Sequence, residues 1–485
     1  VRAACLLALA FATVLPSPAA SRPHQAARSI GAEPRAAIDR ITAWFMRRYH
    51  VTGLSLGVAV PHAPPYLRGY GVRDPRSRAP ADAYTIYAVG SLAKSFIAAA
   101  VLREAANGRL DLDAPIGRTL SWVPPRYAAI TIRRLLTMTS GIPSYTSLPR
   151  ARLDAIVAAG GGIPALLAPA LREPPEAPPG MSWSYDNSDY LLLAAALERT
   201  TGLTWARYAT MRFFIPLGMI STSAGALSPF AVDRATGTRW DGRTARPVAT
   251  LAQALAIAGP AGNLFSNVPD LLRWLTALRD GSTVSPDAFR AMTTATLLPD
   301  GVTTGYGMGF FVDDWYGRRV VWHSGYIDGF SSAMALVPSD GTEAVVLCNA
   351  DRTDLVPLLK SVVAIVDPPI APLTYASGYA PPENEDPHVT AVARLLLSQI
   401  ADGRLDRSLL AVGLDRTLMP AWVRDEATLL RAYGTLVQLE FLGRIRKNGV
   451  AVARYRADFT HGRLAVEIGM DAGGFVDVLT IGTTP

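Results

Sequence analysis

A chain of 485 residues with 49% hydrophobic and 18% charged side chains has room for two or three domains of roughly 100 to 200 residues each, and is too apolar to be a disordered chain. Its formal net charge of +7 comes from arginines scattered along the chain rather than from a basic block, so nucleic acid is not expected as a partner. Arginine so outnumbers lysine that Lys94, Lys360 and Lys447 are the only lysines, which makes each a candidate for chemistry that arginine cannot do.

At the N-terminus, Arg2, an apolar stretch over 3–15 and the small residues Ser17, Pro18, Ala19 and Ala20 predict a signal peptide over 1–20, and with it a secreted or periplasmic protein. The stretch is too short for a stable membrane span, which needs about 20 apolar residues. Cys5 and Cys348 cannot build a disulfide framework. His24, His50, His62, His323, His388 and His461 are too dispersed for a zinc site, so neither a metal nor another cofactor is expected.

A helix is predicted over 33–50, with Ile38, Ile41, Trp44 and Phe45 recurring on one face. Strands over 54–60 and 66–70 follow as a hairpin around 61–65. Ser91 then opens an alanine-rich helix that Asn107-Gly108 closes. Helices dominate the middle, including one over 190–200, and a proline-rich loop over 172–180 leads into Trp183-Ser184-Tyr185-Asp186-Asn187. Strands over 320–323, 331–337 and 344–347 and a helix over 355–365 complete the unit, which implies one sheet assembled from both ends of the domain. A segment rich in Pro, Ala, Gly and Tyr over 367–387 is expected to be a linker. Helices over 389–401 and 425–432, then four alternating runs over 436–445, 450–458, 464–470 and 475–481, predict a small antiparallel α+β domain over 388–485.

The chemistry-bearing pattern begins with Ser91-Leu92-Ala93-Lys94. Three positions apart at a helix start, the two side chains share a face, and a desolvated lysine can take the proton that keeps a serine hydroxyl weakly nucleophilic. Tyr185-Asp186-Asn187 offers a phenol able to exchange protons and an amide able to hold both a lysine and a substrate carbonyl. His323-Ser324-Gly325, read as the end of a strand, offers a binding side chain and exposed backbone N–H groups. Each element alone is common by chance. The sequence Gly305-Tyr306-Gly307-Met308-Gly309 precedes a strand rather than a helix, so it is not a phosphate cradle, and no G-x-S-x-G elbow is present.

In this order and spacing, S-x-x-K, Y-x-N and H-x-G resemble the serine β-lactamase and penicillin-binding superfamily, in its class C-like branch with D-Ala-D-Ala carboxypeptidases, D-aminopeptidases and bacterial esterases. The segments Leu135-Leu136-Thr137-Met138-Thr139-Ser140-Gly141-Ile142-Pro143, Gly262-Asn263-Leu264-Phe265-Ser266 and Tyr306-Gly307-Met308-Gly309 are similar to it as well. The resemblance implies an α/β fold, a transpeptidase-like catalytic domain over 31–366 with an antiparallel sheet flanked by helices and an all-helical lobe. The appended α+β domain loosely resembles the cone-shaped sheets of nuclear-transport-factor-like proteins. Ser91 would be acylated, Lys94 would be its proton partner and Tyr185 general base and acid. Asn187 would position Lys94 and the substrate, His323, Ser324 and Gly325 would line the opposite wall, and the N–H groups of Ser91 and Tyr326 would form an oxyanion hole.

Two departures qualify the substrate. Where class C β-lactamases have K-T-G this chain has His323-Ser324-Gly325, which exchanges a permanent cation for a group mostly neutral at pH 7. Asp186 stands where the family more often has a small residue; its side chain either faces away from the site or disfavours anionic substrates. The expected activity is therefore hydrolysis of a small ester or a D-amino-acid peptide through acyl-Ser91. A β-lactamase, and a noncatalytic penicillin- or wall-peptide-binding protein, are the alternatives. The oligomeric state is not legible.

Overall fold

The structure is a computed structural model that describes residues 30–225, 233–315, 318–366, 386–411, 414, 420–447, 450–471 and 473–483. The expected signal peptide and nearly all of the expected linker lie outside the described residues.

Helix α1 (Ala32–Arg48) buries Ala37, Ile38, Ile41 and Phe45, spaced three and four apart on one face. Strands β1 (Gly53–Ala59) and β2 (Tyr66–Asp74) pair as the expected antiparallel hairpin, and the short β3 (Ala79–Pro80) extends its edge. After the helical middle come β4 (Phe311–Trp315), β5 (Arg318–Ile327), β6 (Phe330–Leu336) and β7 (Glu343–Cys348). These make one 7-stranded sheet in the order β3-β2-β1-β7-β6-β5-β4. Its centre is the antiparallel pairing of β1 with β7, Leu54 opposite Cys348, so both ends of the domain do meet in one sheet.

Side chains alternate between the two faces of this sheet, and both faces are covered. Met334, Leu336, Val345 and Leu347 enter the core shared with the helical lobe, while Ala333, Ala335, Val337, Ala344, Val346 and Cys348 enter a core with α1 and α4 (Val356–Val366). That two-sided burial is why these strands read in sequence as unbroken apolar runs.

The lobe is built around α2 (Ala93–Ala106) and α3 (Asn187–Thr201). Ala98, Ala99 and Ala100 have no exposed surface, and their small side chains let neighbours approach α2 from every side. Trp274 stacks on Phe96 at 3.8 Å and donates its indole N–H to Ser95, whose hydroxyl donates to Leu92 O, so the first turn of α2 is locked.

Two boundaries next to the predicted site residues differ from the sequence reading. Helix α3 starts at Asn187 rather than near residue 190, because Asp186 caps it by accepting the Ser188 N–H at 2.9 Å. Strand β5 does not end at His323. It continues to Ile327, because Asp328-Gly329, with Gly329 at φ 88°, closes a two-residue hairpin onto β6 with Ile327 opposite Phe330. His323, Ser324, Gly325 and Tyr326 are therefore inside a strand.

The C-terminal unit contains α5 (Pro387–Ala401), α6 (Pro420–Tyr433) and a meander of β8 (Leu436–Lys447), β9 (Val450–Phe459), β10 (Gly462–Met470) and β11 (Val476–Thr483). Val392, Leu396, Ile400 and Leu430 from the helices pack on Phe441, Tyr455, Val466 and Ile468 from the sheet. Trp44 of α1 meets Tyr433 edge-on at 6.4 Å. Among the described residues no helix is long and apolar enough to cross a membrane.

Asn349, just past β7, ties the hairpin to the rest of the sheet. Its buried Oδ1 accepts from Thr52 Oγ1 at 2.9 Å and Gly53 N at 2.7 Å, and Nδ2 donates to the carbonyls of Val72, Arg73 and Thr236. Replacing it with alanine strands five polar partners, several of them buried. We expect Asn349→Ala to cost roughly 3 kcal/mol or more in chemical denaturation, and a loss below about 1 kcal/mol would show that the bonds are replaced by water.

Candidate active site

Ser91 sits in the tight turn Gly90–Leu92 that feeds α2. The turn is held from both sides: Val89 N donates to Leu264 O at 2.8 Å, and Ser332 Oγ donates to Val89 O at 2.7 Å. The strand Leu264–Ser266 also pairs with Tyr87–Ala88, so the segment containing Gly262 to Ser266 positions the nucleophile's turn. Gly307 and Gly309, which superficially suggested a nucleotide loop, have a packing role. A Cβ at Gly309 would lie 2.9 Å from Ala98 Cβ and 3.1 Å from Lys94 O.

Lys94 is completely buried one turn on. Its Nζ lies 2.9 Å from Ser91 Oγ, 2.7 Å from Asn187 Oδ1 and 3.2 Å from Ala261 O. It also sits 5.0 Å from the Tyr185 ring centroid and 5.7 Å from that of Tyr190. Burial draws its pKa down to about 7, against a smaller opposing pull from the Asp186 carboxylate. Near neutral pH a large share of Lys94 is thus an uncharged amine, able to accept the Ser91 proton across that 2.9 Å contact.

Tyr185 arrives from the proline-rich loop, which is stitched to the segment after Leu135-Leu136. Gly180 N donates to Thr139 O, Glu176 N to Gly141 O and Ser184 N to Met138 O. The ring lies parallel to Phe311 at 6.0 Å and edge-on to Tyr306. Desolvation raises the phenol's pKa, which the nearby Ser91 hydroxyl only partly offsets. The same burial that raises Tyr185 lowers Lys94, so an uncharged phenol stands beside an amine whose neutral form is accessible near pH 7.

On the opposite wall, Gly325 is flush against the nucleophile's turn. A Cβ there would lie 2.2 Å from Val89 O and 2.9 Å from Ser91 N. Gly90, at φ 52°, is equally tight, with its would-be Cβ 2.9 Å from Tyr326 N. Only two glycines allow the N–H groups of Ser91 and Tyr326 to come together, the arrangement an oxyanion hole requires.

His323 behaves differently from the reading that placed it on the cavity wall. It is fully buried among Tyr185, Tyr306 and Phe311, its Nδ1 donates to Ser324 O at 2.6 Å, and burial followed by the charge of Lys94 lowers its pKa to about 3. It is a neutral packing group behind the phenol. Ser324 is half-buried beside it, and Tyr326 is 44% exposed on the cavity. The cavity itself has a volume of about 220 Å³ and is lined by Ser91, Asn187 and Tyr326 together with Tyr145, Arg150 and Arg352 among others. A larger recess of about 630 Å³, near Arg279 and Glu343, contains none of the predicted residues. Its buried acid Glu343, raised to about 7 by desolvation, is held by Thr276 and Arg279. Among the described residues no three metal-ligating side chains cluster.

The sequence reading did not single out the Ala261 carbonyl, the Ser332 hydroxyl or the Asp186–Asp189 pair as parts of the site. Backbone carbonyls leave no trace in a sequence, but an Asp just before an apolar helical run is a legible cap. Asp186 keeps one buried carboxyl oxygen without a hydrogen bond, and desolvation raises its pKa to about 6. Asp189 accepts from Ser140 Oγ at 2.6 Å, and burial raises it also.

Two outcomes follow from this electrostatic arrangement. Lys94 has a lower pKa in the folded chain than the ~10.4 of a free lysine, so its burial cost is full below about pH 7 and is relieved as pH rises toward the unfolded value. Lys94→Met should therefore stabilise the fold by a few kcal/mol near pH 6, with the gain shrinking toward pH 10; a pH-independent difference would contradict this. Asp186→Asn keeps the cap but removes the charge that favours protonated Lys94. An NMR titration of Lys94 should then show a lower pKa, and an unchanged value would disprove the coupling.

Comparison with known proteins agrees with this geometry. The Beta-lactamase family model matches residues 38–365. Protein flp of Staphylococcus aureus (strain N315) is 26% identical over 333 residues, covering 66% of this chain and 64% of that protein, so the chain spans less than two thirds of this relative's length. The D-amino acid amidase from Ochrobactrum anthropi SV3, solved with D-phenylalanine, superposes with a TM-score of 0.59 at 26% identity, covering 69% of this chain and 97% of the amidase. The octameric penicillin-binding protein homologue from Pyrococcus abyssi gives a TM-score of 0.59 at 21% identity over 90% of this chain and 96% of its own, and shares the fold. With its sheet, helical lobe and matched span, the chain belongs to the beta-lactamase family of the serine hydrolase and penicillin-binding superfamily.

Proposed function

We propose that this chain hydrolyses an amide or ester bond through an acyl-Ser91 intermediate, with small esters or D-amino-acid peptides and amides as substrates. The observation that carries this reading is the fully buried Lys94 amine 2.9 Å from Ser91 Oγ, its pKa drawn down to about 7 by desolvation. Lys94 takes the Ser91 proton as Oγ adds to the substrate carbonyl, and Asn187 orients the amine through its 2.7 Å bond. The new oxyanion is held by the N–H groups of Ser91 and Tyr326. Tyr185 gives its proton to the leaving nitrogen or oxygen and recovers one from Lys94, so the first half-reaction ends with acyl-Ser91, a free leaving group and a neutral amine. Water then attacks the ester by the same relay in reverse.

The similarity to a D-amino acid amidase supports the D-configured amide reading. The β-lactamase alternative loses support at β5, where a neutral, buried His323 leaves no cation at the position of the family's K-T-G lysine.

Intact-protein mass spectrometry after exposure to benzylpenicillin, an acyl-D-Ala-D-Ala peptide and a short-chain p-nitrophenyl ester tests the reading. We expect an acyl adduct on the native chain, none on Ser91→Ala, and acylation of Lys94→Arg slowed by roughly 100-fold or more because arginine cannot accept the proton. An adduct that persists in Ser91→Ala would place the nucleophile elsewhere.

A further inference from the structure

The cavity beside Ser91 is lined by four charged residues, Arg150, Asp328, Asp351 and Arg352. Three of them are already compensated. Arg150 is shared between Asp154 at 3.0 Å and Asp328 at 3.4 Å, and Asp328 also accepts from Thr250. Asp351 takes Arg239 on one oxygen at 2.5 Å and the Gly329 N–H on the other. Arg352 is exposed, and among the described residues its guanidinium makes no hydrogen bond and no ion pair. It is the one charged side chain on this cavity left with open bonding capacity.

The backbone supplies an independent observation. Arg352 has φ 50°, the left-handed region that is costly for any residue with a Cβ and natural for glycine. The chain on either side gives it no freedom to relax. Asp351 N donates to Thr238 O at 2.8 Å, Thr353 N donates to Ser331 Oγ at 2.9 Å, and that hydroxyl donates to Ala350 O. A strained, non-glycine conformation held rigidly at a cavity edge points to a use for the side chain it presents. The side chain is a planar fork suited to bidentate pairing with a carboxylate, beside the end of the strand whose own His323-Ser324-Gly325 motif carries no charge.

We propose that Arg352 is a specificity-determining residue that binds a carboxylate on the substrate held beside Ser91. The inference rests on the acyl-Ser91 reading and deepens it: the preferred substrates are amides or esters that carry a free carboxylate away from the scissile bond. A substrate ammonium in the same place is disfavoured, since Asp328 and Asp351 are already occupied by Arg150 and Arg239.

Two substrate pairs test this. N-acyl-D-Ala-D-Ala against its C-terminal amide places the anion on the leaving side, and the mono-p-nitrophenyl ester of succinate against p-nitrophenyl butyrate places it on the acyl side. The native chain should favour the anionic member of one pair by tenfold or more in kcat/KM, and the pair that responds tells which side faces Arg352. In Arg352→Gly that ratio should collapse toward one through KM, with Arg352→Lys retaining only part of it because lysine keeps the charge and loses the fork, while the melting temperature of Arg352→Gly stays level or rises as the strain is released. A ratio unchanged in Arg352→Gly overturns the proposal, as does an equal loss on both members of each pair. Absence of any acyl adduct on the native chain overturns the parent reading instead, and is distinguished by the mass of the intact protein.

Discussion

Everything reactive in this protein depends on keeping one amine out of water. Lys94 has no exposed surface, and its proton affinity falls far enough for the neutral form to be abundant near pH 7. The surrounding structure exists to sustain that state. The alanine-rich α2 packs on all sides, Tyr190 and Tyr185 roof the amine, and Asn187 and Ala261 give it hydrogen bonds that do not require a charge. Asp186 is buried close by, and desolvation makes it a weaker acid, which limits how strongly it can pull Lys94 back to its ammonium form.

The opposite wall works by backbone rather than side chain. Gly90 and Gly325 remove the Cβ atoms that would otherwise hold α2's entry turn and β5 apart. The histidine of the H-x-G motif supports this arrangement from behind, as a neutral ring under Tyr185. Charge selection is left to the far rim, where Arg352 stands among arginines and aspartates that are already paired.

Much of this was legible in the sequence, for reasons that differ by residue. Ser91 and Lys94 share a helix turn, so their meeting is a local matter that spacing predicts. The approach of Tyr185 and Asn187 is long-range and was available only through the resemblance carried by order and spacing. The covered sheet was readable because strands buried on both faces appear as continuous apolar runs. What escaped has physical causes. The Ala261 carbonyl is backbone, and the burial of His323 depends on Phe311 of β4 and Tyr306 of the segment before it. Strand β5 was read as ending too early because the Asp328-Gly329 hairpin went unrecognised, although the dipeptide is a strong turn signal. Arg352 carries no sequence mark, since left-handed strain at a non-glycine residue shows only in the backbone.

The pairing of β1 with β7 sets a timetable for biosynthesis. Leu54 must wait for Cys348, so nearly three hundred residues leave the ribosome before the sheet can shut. Strand β5, which supplies one half of the oxyanion-binding backbone, reaches β1 only through β6 and β7. In the acyl-Ser91 reading, a nascent chain that already carries its serine and lysine lacks the assembled site until the same late step that completes the domain.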